Sequence, residues 1–255
     1  MKAFLHASLL TALSCAAHAQ DILILGEVHD NPAHHAVQAE KVSALAPKAL
    51  VFEMLTPDQA DGVVMPTGSD QHTLATRFDW ADSGWPDFAM YYPIFAAAPS
   101  AQVYGAGVPR EDAYEALQGG VPAIFGDKAA DYGLDVPLPP DQQDAREALQ
   151  MSAHCDALPQ DMLGGMVDIQ RLRDAELARV ALRAFTETGG PVAVITGNGH
   201  ARRDWGMPAY LARVAPDLEV QVIGQTEDDS PLEGGFDTVL SAPSVERPDP
   251  CDAFK

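Results

Sequence analysis

Basic residues are scarce in this 255-residue chain: 16 Lys and Arg stand against 37 Asp and Glu, for a formal net charge of −21. Such a chain has no basic surface with which to neutralise phosphates, which excludes a general nucleic-acid-binding role. An anionic bilayer would repel it as well. Cysteine is equally sparse, with 3 in all, and none has the C-x-x-C neighbour of a redox or metal motif. No apolar run reaches the length of a transmembrane span. The H-E-x-x-H, G-x-S-x-G, P-loop, EF-hand and C-x-x-C-H patterns are all missing, which argues against the common zincins, serine hydrolases, kinases and c-type cytochromes. What remains is 47% hydrophobic and 21% charged, the balance of a globular chain. Its length suits one α/β domain better than two.

The N-terminus reads as a secretory signal peptide over residues 1–19. Lys2 supplies the positive n-region, an apolar stretch of small residues follows, and Ala17-His18-Ala19 forms an A-x-A cleavage site. Cleavage near Ala19 places the protein in the periplasm or outside the cell, as a single domain over residues 20–255. Lipidation at Cys15 is the lesser alternative, since Ala12-Leu13-Ser14-Cys15 matches a lipoprotein pattern poorly. Lys2 is the only charge lost, so −21 becomes −22. Cys155 and Cys251 survive; in an oxidising compartment they either pair or stay free, and spacing does not decide between these.

Apolar runs and helical patterns alternate along the rest. Ile22–Leu25, Ala49–Phe52 and Val192–Ile195 are continuous apolar runs of the kind buried on both faces of a parallel sheet. Ala101–Tyr104, Leu218–Ile223 and Phe236–Leu240 read as further strands. Asn31-Pro32 opens a helix that runs to about Ala46. A second helix is expected over about Asp141–Ser152, and a long one from about Gln160 to Thr188, closed by Gly189-Gly190. The fold class that follows is α/β, a mostly parallel sheet flanked by helices. Segments at about 70–98 and 136–188 are expected to form a smaller helical subdomain.

Three polar motifs each follow directly on a strand. They are Gly26-Glu27-Val28-His29-Asp30, Glu53 after Phe52, and Gly197-Asn198-Gly199-His200. Ligands of open parallel sheets bind outside the carboxyl ends of the strands, so Glu27, His29, Glu53 and His200 are expected to meet there. Two carboxylates and two imidazoles suit a divalent metal ion or acid–base work. Each of these side chains taken singly is as ordinary as a helix cap or a structural histidine; their coincidence at three strand ends is what marks a site. Gly26, Gly197 and Gly199 are candidates for positive φ, and Gly197-x-Gly199 lacks the third glycine of a dinucleotide fingerprint. Three of the few arginines, Arg110, Arg202 and Arg203, fall near these strand ends, which points to a small anionic ligand.

In combination these motifs resemble the ChaN family of haem-binding uptake proteins in the Tiki superfamily. The resemblance rests on Gly26–Asp30 with Asn31-Pro32 and His34-His35, on Phe52-Glu53-Met54-Leu55, and on Ile195–Arg202. Trp85-Pro86 with Tyr91 and Pro93, Val108-Pro109-Arg110, His154-Cys155, Gln170-Arg171 with Arg173-Asp174-Ala175, and Asp204–Pro208 with Tyr210 add to it. It spans Ile22 to about Gly224 and departs from the family at Gly105-Ala106-Gly107-Val108. The resemblance implies an α/β fold with a small helical part, haem as cofactor, a homodimer holding haem face to face, and work with the haem or iron uptake machinery of the envelope. It also implies a tyrosine ligand to the iron. Tyr91 is favoured, with Tyr92 and Tyr210 as alternatives, and a nearby Arg would lower its pKa. Arg110, Arg202 and Arg203 would serve the propionates. His34 or His35 would reach the ligand or a second subunit, one of the two pointing elsewhere. The wider superfamily implies an alternative, a metal-dependent hydrolase of peptides or esters, with Glu27, His29, Glu53 and His200 as its catalytic and metal residues.

Overall fold

The computed structural model describes residues 20–61, 63, 70–249 and 251–252. The expected signal peptide and Cys15 lie outside the described residues. Six strands form one sheet: Ile22–Glu27 (β1), Ala49–Phe52 (β2), Gln102–Gly105 (β3), Val192–Gly197 (β4), Val220–Glu227 (β5) and Thr238–Ala242 (β6). Their order is β3-β2-β4-β1-β5-β6, and every pairing is parallel. The described helices are Pro32–Leu45 (α1), Pro57–Ala60 (α2), Gln71–Arg77 (α3), Phe88–Ala97 (α4), Arg110–Gly119 (α5), Val121–Phe125 (α6), Pro140–Ala153 (α7), Leu163–Thr188 (α8), Asn198–Ala201 (α9) and Met207–Val214 (α10). The fold is α/β, as the apolar runs indicate. None of the described helices is long and apolar enough to cross a membrane.

The two-residue period of a strand divides the core. Leu23, Leu25, Leu50, Phe52, Ala193 and Ile195 face α1 and α4 and meet Phe78, Phe88, Tyr91 and Phe95. Ile22, Ile24, Ala49, Val51, Val192 and Val194 face the other way, onto Ala175, Ala178 and Ala181 of α8 and onto Met207 and Leu211 of α10. The segments expected as one helical part thus flank the sheet on opposite faces, 70–98 on the first and α8 on the second.

Strand order positions the site. β4 enters late in the chain and inserts between β2 and β1. Glu27 lies opposite Gly197 in one ladder, and Phe52, next to Glu53, lies opposite Ile195 in the other. Three strand ends that are far apart in sequence therefore become neighbours.

Among its described residues the C-terminal segment is fastened by hydrogen bonds at Pro243 and Ser244, by an arginine fork and by a disulfide. Arg247 donates to Asp30 and Glu227, each contact at 2.8 Å. Cys251 forms a disulfide with Cys155 at the end of α7, across 96 residues of sequence.

Phe95 is fully buried and stacks on Phe52 with ring centroids 4.3 Å apart. Phe95→Ala is expected to lower unfolding free energy by about 3–5 kcal/mol, read from urea denaturation; a loss below about 1 kcal/mol would contradict this packing.

Candidate functional site

The same alternation that divides the core divides the acids. Glu27 continues the face of Leu23 and Leu25, toward α1 and α4, whereas Glu53 continues the face of Val51, toward α8. Each acid meets a histidine on its own side.

The Glu27 side chain is wholly buried, and its two oxygens are fully engaged. Tyr91 O–H donates to Oε1 at 2.8 Å, and His29 Nδ1 lies 2.8 Å from the same oxygen. Gln38 Nε2 donates to Oε2 at 2.7 Å, and His35 Nδ1 stands 3.4 Å from it. Burial disfavours the charged His29 ring, yet the bond to Glu27 and the nearby Glu53 raise its pKa overall.

On the α8 side, Glu53 Oε2 accepts from Thr196 Oγ1 at 2.6 Å and from the Gly197 amide at 2.8 Å. Its Oε1 faces His200 Nε2 at 3.5 Å, and His200 Nδ1 lies 2.7 Å from Asp174 Oδ1. Burial alone would depress the His200 pKa, but the carboxylates of Glu53 and Asp174 outweigh it and hold the value up at about 9. Burial likewise opposes the Glu53 charge, and the two imidazoles overcome it and lower its pKa.

Gly26 and Gly197 are required here for space, not for positive φ, since neither has it. A Cβ on Gly197 would stand 2.8 Å from His29 Nε2, and one on Gly26 would stand 2.5 Å from Asn198 Oδ1. Gly197 therefore lets the two acid–imidazole pairs close into one row.

The four residues expected to meet do so, but as two hydrogen-bonded pairs. Among the described residues no group of three or more His, Cys, Asp or Glu is arranged to hold a metal ion. Both oxygens of Glu27 and one of Glu53 accept from Tyr91, Gln38, Thr196 and the Gly197 amide, and the other Glu53 oxygen faces His200.

Clefts flank the row. Over β4 and β1, one of about 450 Å³ is walled by Leu149, Ala153, Val167 and Trp205, with His29 and His200 at its base. Arg146 of α7 also lines it; this guanidinium is buried, and its Nε has no partner. Over β2 and β3 lies a second, of about 380 Å³, lined by Glu53, Trp85, Arg110 and Arg173.

The other sequence candidates lie as follows. Tyr91 is fully buried, and burial together with the Glu27 charge raises its pKa, the reverse of the lowering expected from a nearby Arg. Tyr210 is 8% exposed, and burial again raises its pKa. Tyr92 is half-buried against Phe88. His34 and His35 are both turned inward, against the expectation that one would reach a ligand or a second subunit. His34 accepts from the Val28 amide and faces the Thr226 carbonyl, while His35 Nε2 faces the His29 carbonyl at 2.8 Å. The reason is that α1 is wedged between β5 and α4, so neighbouring positions both point into protein. Arg202 is closed on Asp204 and lies over Trp205, and Arg203 is closed on Asp237. Of the three expected arginines, Arg110 alone lines a cleft.

Gln38, Arg146 and Asp174 are site residues that sequence reasoning missed. Asp174 did leave a trace: it is an acid between Leu172, Ala175 and Leu177, inside the apolar stripe of α8.

Fold and site together define an open parallel α/β protein with a row of acid–imidazole pairs at the carboxyl ends of its central strands. The sequence matches the family described as haem-binding uptake, Tiki superfamily, ChaN over residues 13–211, and the chain belongs to that family. Among solved structures it is similar to ChaN of Campylobacter jejuni, described by its cofacial heme binding, at 16% identity, with 84% of each chain covered and a TM-score of 0.62. The type III effector HopBA1 aligns at 13% identity over 88% of each chain, with a TM-score of 0.41. A succinoglycan biosynthesis protein aligns at 11% identity over 82% of this chain and 67% of its own, also at 0.41. No curated protein matches.

Because its pKa is raised, His200 contributes stability that is fully present below pH 6.5 and lost as pH climbs through about 9. Asp174→Asn is expected to move the His200 titration, followed by its ring-proton NMR signals, down toward 6.5. It is also expected to flatten the fall in stability between those pH values. An unmoved titration would show that Asp174 does not hold this proton.

Proposed function

We propose that this protein holds haem outside the cytoplasm and serves haem or iron uptake at the envelope, in keeping with its family. One observation carries the reading. The cleft over β4 and β1 joins apolar walls to a buried guanidinium, Arg146, whose Nε is unpaired. A porphyrin needs such apolar faces, and a propionate needs such a donor. The cofacial heme binding of the Campylobacter jejuni protein lends support. Export rests on the signal-like residues 1–19, and the Cys155–Cys251 disulfide fits an oxidising compartment.

Bound haem would supply a ferric iron that takes a phenolate or imidazole ligand. Of the 6 tyrosines, Tyr91 already donates to Glu27, and burial raises the pKa of Tyr104, Tyr132 and Tyr210. Tyr92 is half-buried, and Tyr114 on α5 is 64% exposed. A phenolate from this chain is therefore assigned to Tyr114 in place of Tyr91. In a homodimer, the exposed phenol of one copy would meet the cleft of the other.

Ferric haem added to the purified protein is expected to give a saturable change in visible absorption. Leu149→Arg should weaken it at least about tenfold by placing a charge on the apolar wall. Tyr114→Phe should remove the phenolate signature, and Tyr91→Phe should leave it. A wild-type protein with no saturable change would overturn the reading.

The Asp174–His200–Glu53 chain favours a second reading, hydrolysis at the same strand ends. An imidazole oriented by one carboxylate and facing another is built for proton transfer. Stoichiometric divalent metal that is lost in His29→Ala or His200→Ala, with no haem uptake, would favour it.

A further inference from the structure

The cleft over β2 and β3 lies apart from the one assigned to haem, and its charge is anomalous. In a chain of net charge −21, it is lined by two arginines, Arg110 and Arg173, and by one acid, Glu53. The Glu53 charge is already met by His200 and by hydrogen bonds from Thr196 and Gly197. The cleft therefore carries a positive excess.

These two guanidiniums are also exceptional among the arginines. Arg77, Arg146, Arg171, Arg179, Arg202, Arg203, Arg213 and Arg247 donate to carbonyls, amides or carboxylates, and Arg183 lies over the Tyr104 ring. Among the described residues, Arg110 and Arg173 have neither a hydrogen bond nor an ion pair nor a ring contact. A planar guanidinium left open toward a cavity is a ready fork for a carboxylate or phosphate. The neutral polar groups beside it are already engaged. Ser83 Oγ donates to the Trp80 carbonyl, and Gln59 is tied to Thr56 and to the Phe78 carbonyl. The arginines are thus the free donors of the cleft.

The remaining walls are apolar. Trp85 lines the cleft and also meets the His29 ring, tilted by 56° with centroids 4.9 Å apart, and Leu177 and Val108 add hydrocarbon. On α8, Arg173 and Asp174 are successive residues about 100° apart around the helix. The first lines this cleft, and the second holds His200. One turn of helix therefore supplies both the open cation and the support of the acid–imidazole row.

We propose that this cleft is a second binding site, for a small organic oxyanion. Its carboxylate or phosphate is taken by Arg110 and Arg173, and its apolar part lies on Trp85 with the adjoining bond beside Glu53. The site stands whether or not the protein binds haem.

Phenyl phosphate and phenylacetate serve as probes of the two oxyanion sources, titrated calorimetrically into the full mature chain at low salt. At least one is expected to bind saturably. Affinity should fall about tenfold or more in Arg110→Gln and Arg173→Gln, and stay unchanged in Arg202→Gln, whose guanidinium is closed on Asp204. Arg110 is exposed, so its variant decides the matter if circular dichroism shows Arg173→Gln to be unfolded. Haem titration of the wild-type chain alongside separates failure of this site from failure of the haem reading. No saturable binding of either probe, or undiminished affinity in a folded Arg110→Gln, would overturn the proposal.

Discussion

A carboxylate sealed inside protein must be given partners or it destabilises the fold, because an unpaired buried charge costs several kcal/mol. Glu27 sits at the end of the central strand with no exposure, and much of the first face of the molecule is arranged around that cost. α1 sends Gln38 and His35 to one of its oxygens, and α4 sends Tyr91 to the other. The Tyr91 ring in turn packs on His35, at 4.2 Å between centroids. The register of both helices on the sheet is thereby tied to one polar cluster embedded in apolar packing. Apolar contacts tolerate small slips, whereas a network of directed hydrogen bonds does not.

The opposite face solves the same problem with a different stock. Glu53 takes its donors from β4 itself and its countercharge from His200, which is steadied from α8 by Asp174. The chain thus carries two acid–imidazole pairs, one per face, with Gly197 between them leaving the space that a side chain would take from His29. Each pair is supported from a separate helical layer. A disturbance of α4 reaches His29 through Glu27, and a disturbance of α8 reaches His200 through Asp174.

Much of this was legible in the sequence, for identifiable reasons. Runs such as Val192–Ile195 are apolar on both faces and have few ways to be buried other than as inner parallel strands. The meeting of Glu27, His29, Glu53 and His200 follows from their places just past such strands. What could not be read depends on which helix lies over which face. Tyr91 carries the sequence marks of a ligand, but α4 packs it against Glu27. His34 and His35 look accessible on an isolated helix and are buried because both flanks of α1 are covered. Asp174 stands out as an acid inside the apolar stripe of α8, but that it reaches His200 shows only once α8 is laid on the sheet. Nearness in sequence to the strand ends singles out Arg202 and Arg203, yet these are closed on Asp204 and Asp237, while Arg146 and Arg173, remote in sequence from those ends, line the clefts.

The fastening of the C-terminal segment has a consequence for how it lets go. Its attachments are of unlike kinds and only a few residues apart: a thiol bond at Cys251 that opens to reductant, and an ionic grip at Arg247 that opens to acid or salt. The grip resists acid well, since Arg247 holds Glu227 down at about 2. With either catch released, the other keeps the segment within a short tether of its seat, from which it can close again. Opening both catches therefore takes a reductant for the one and a charge-screening medium for the other.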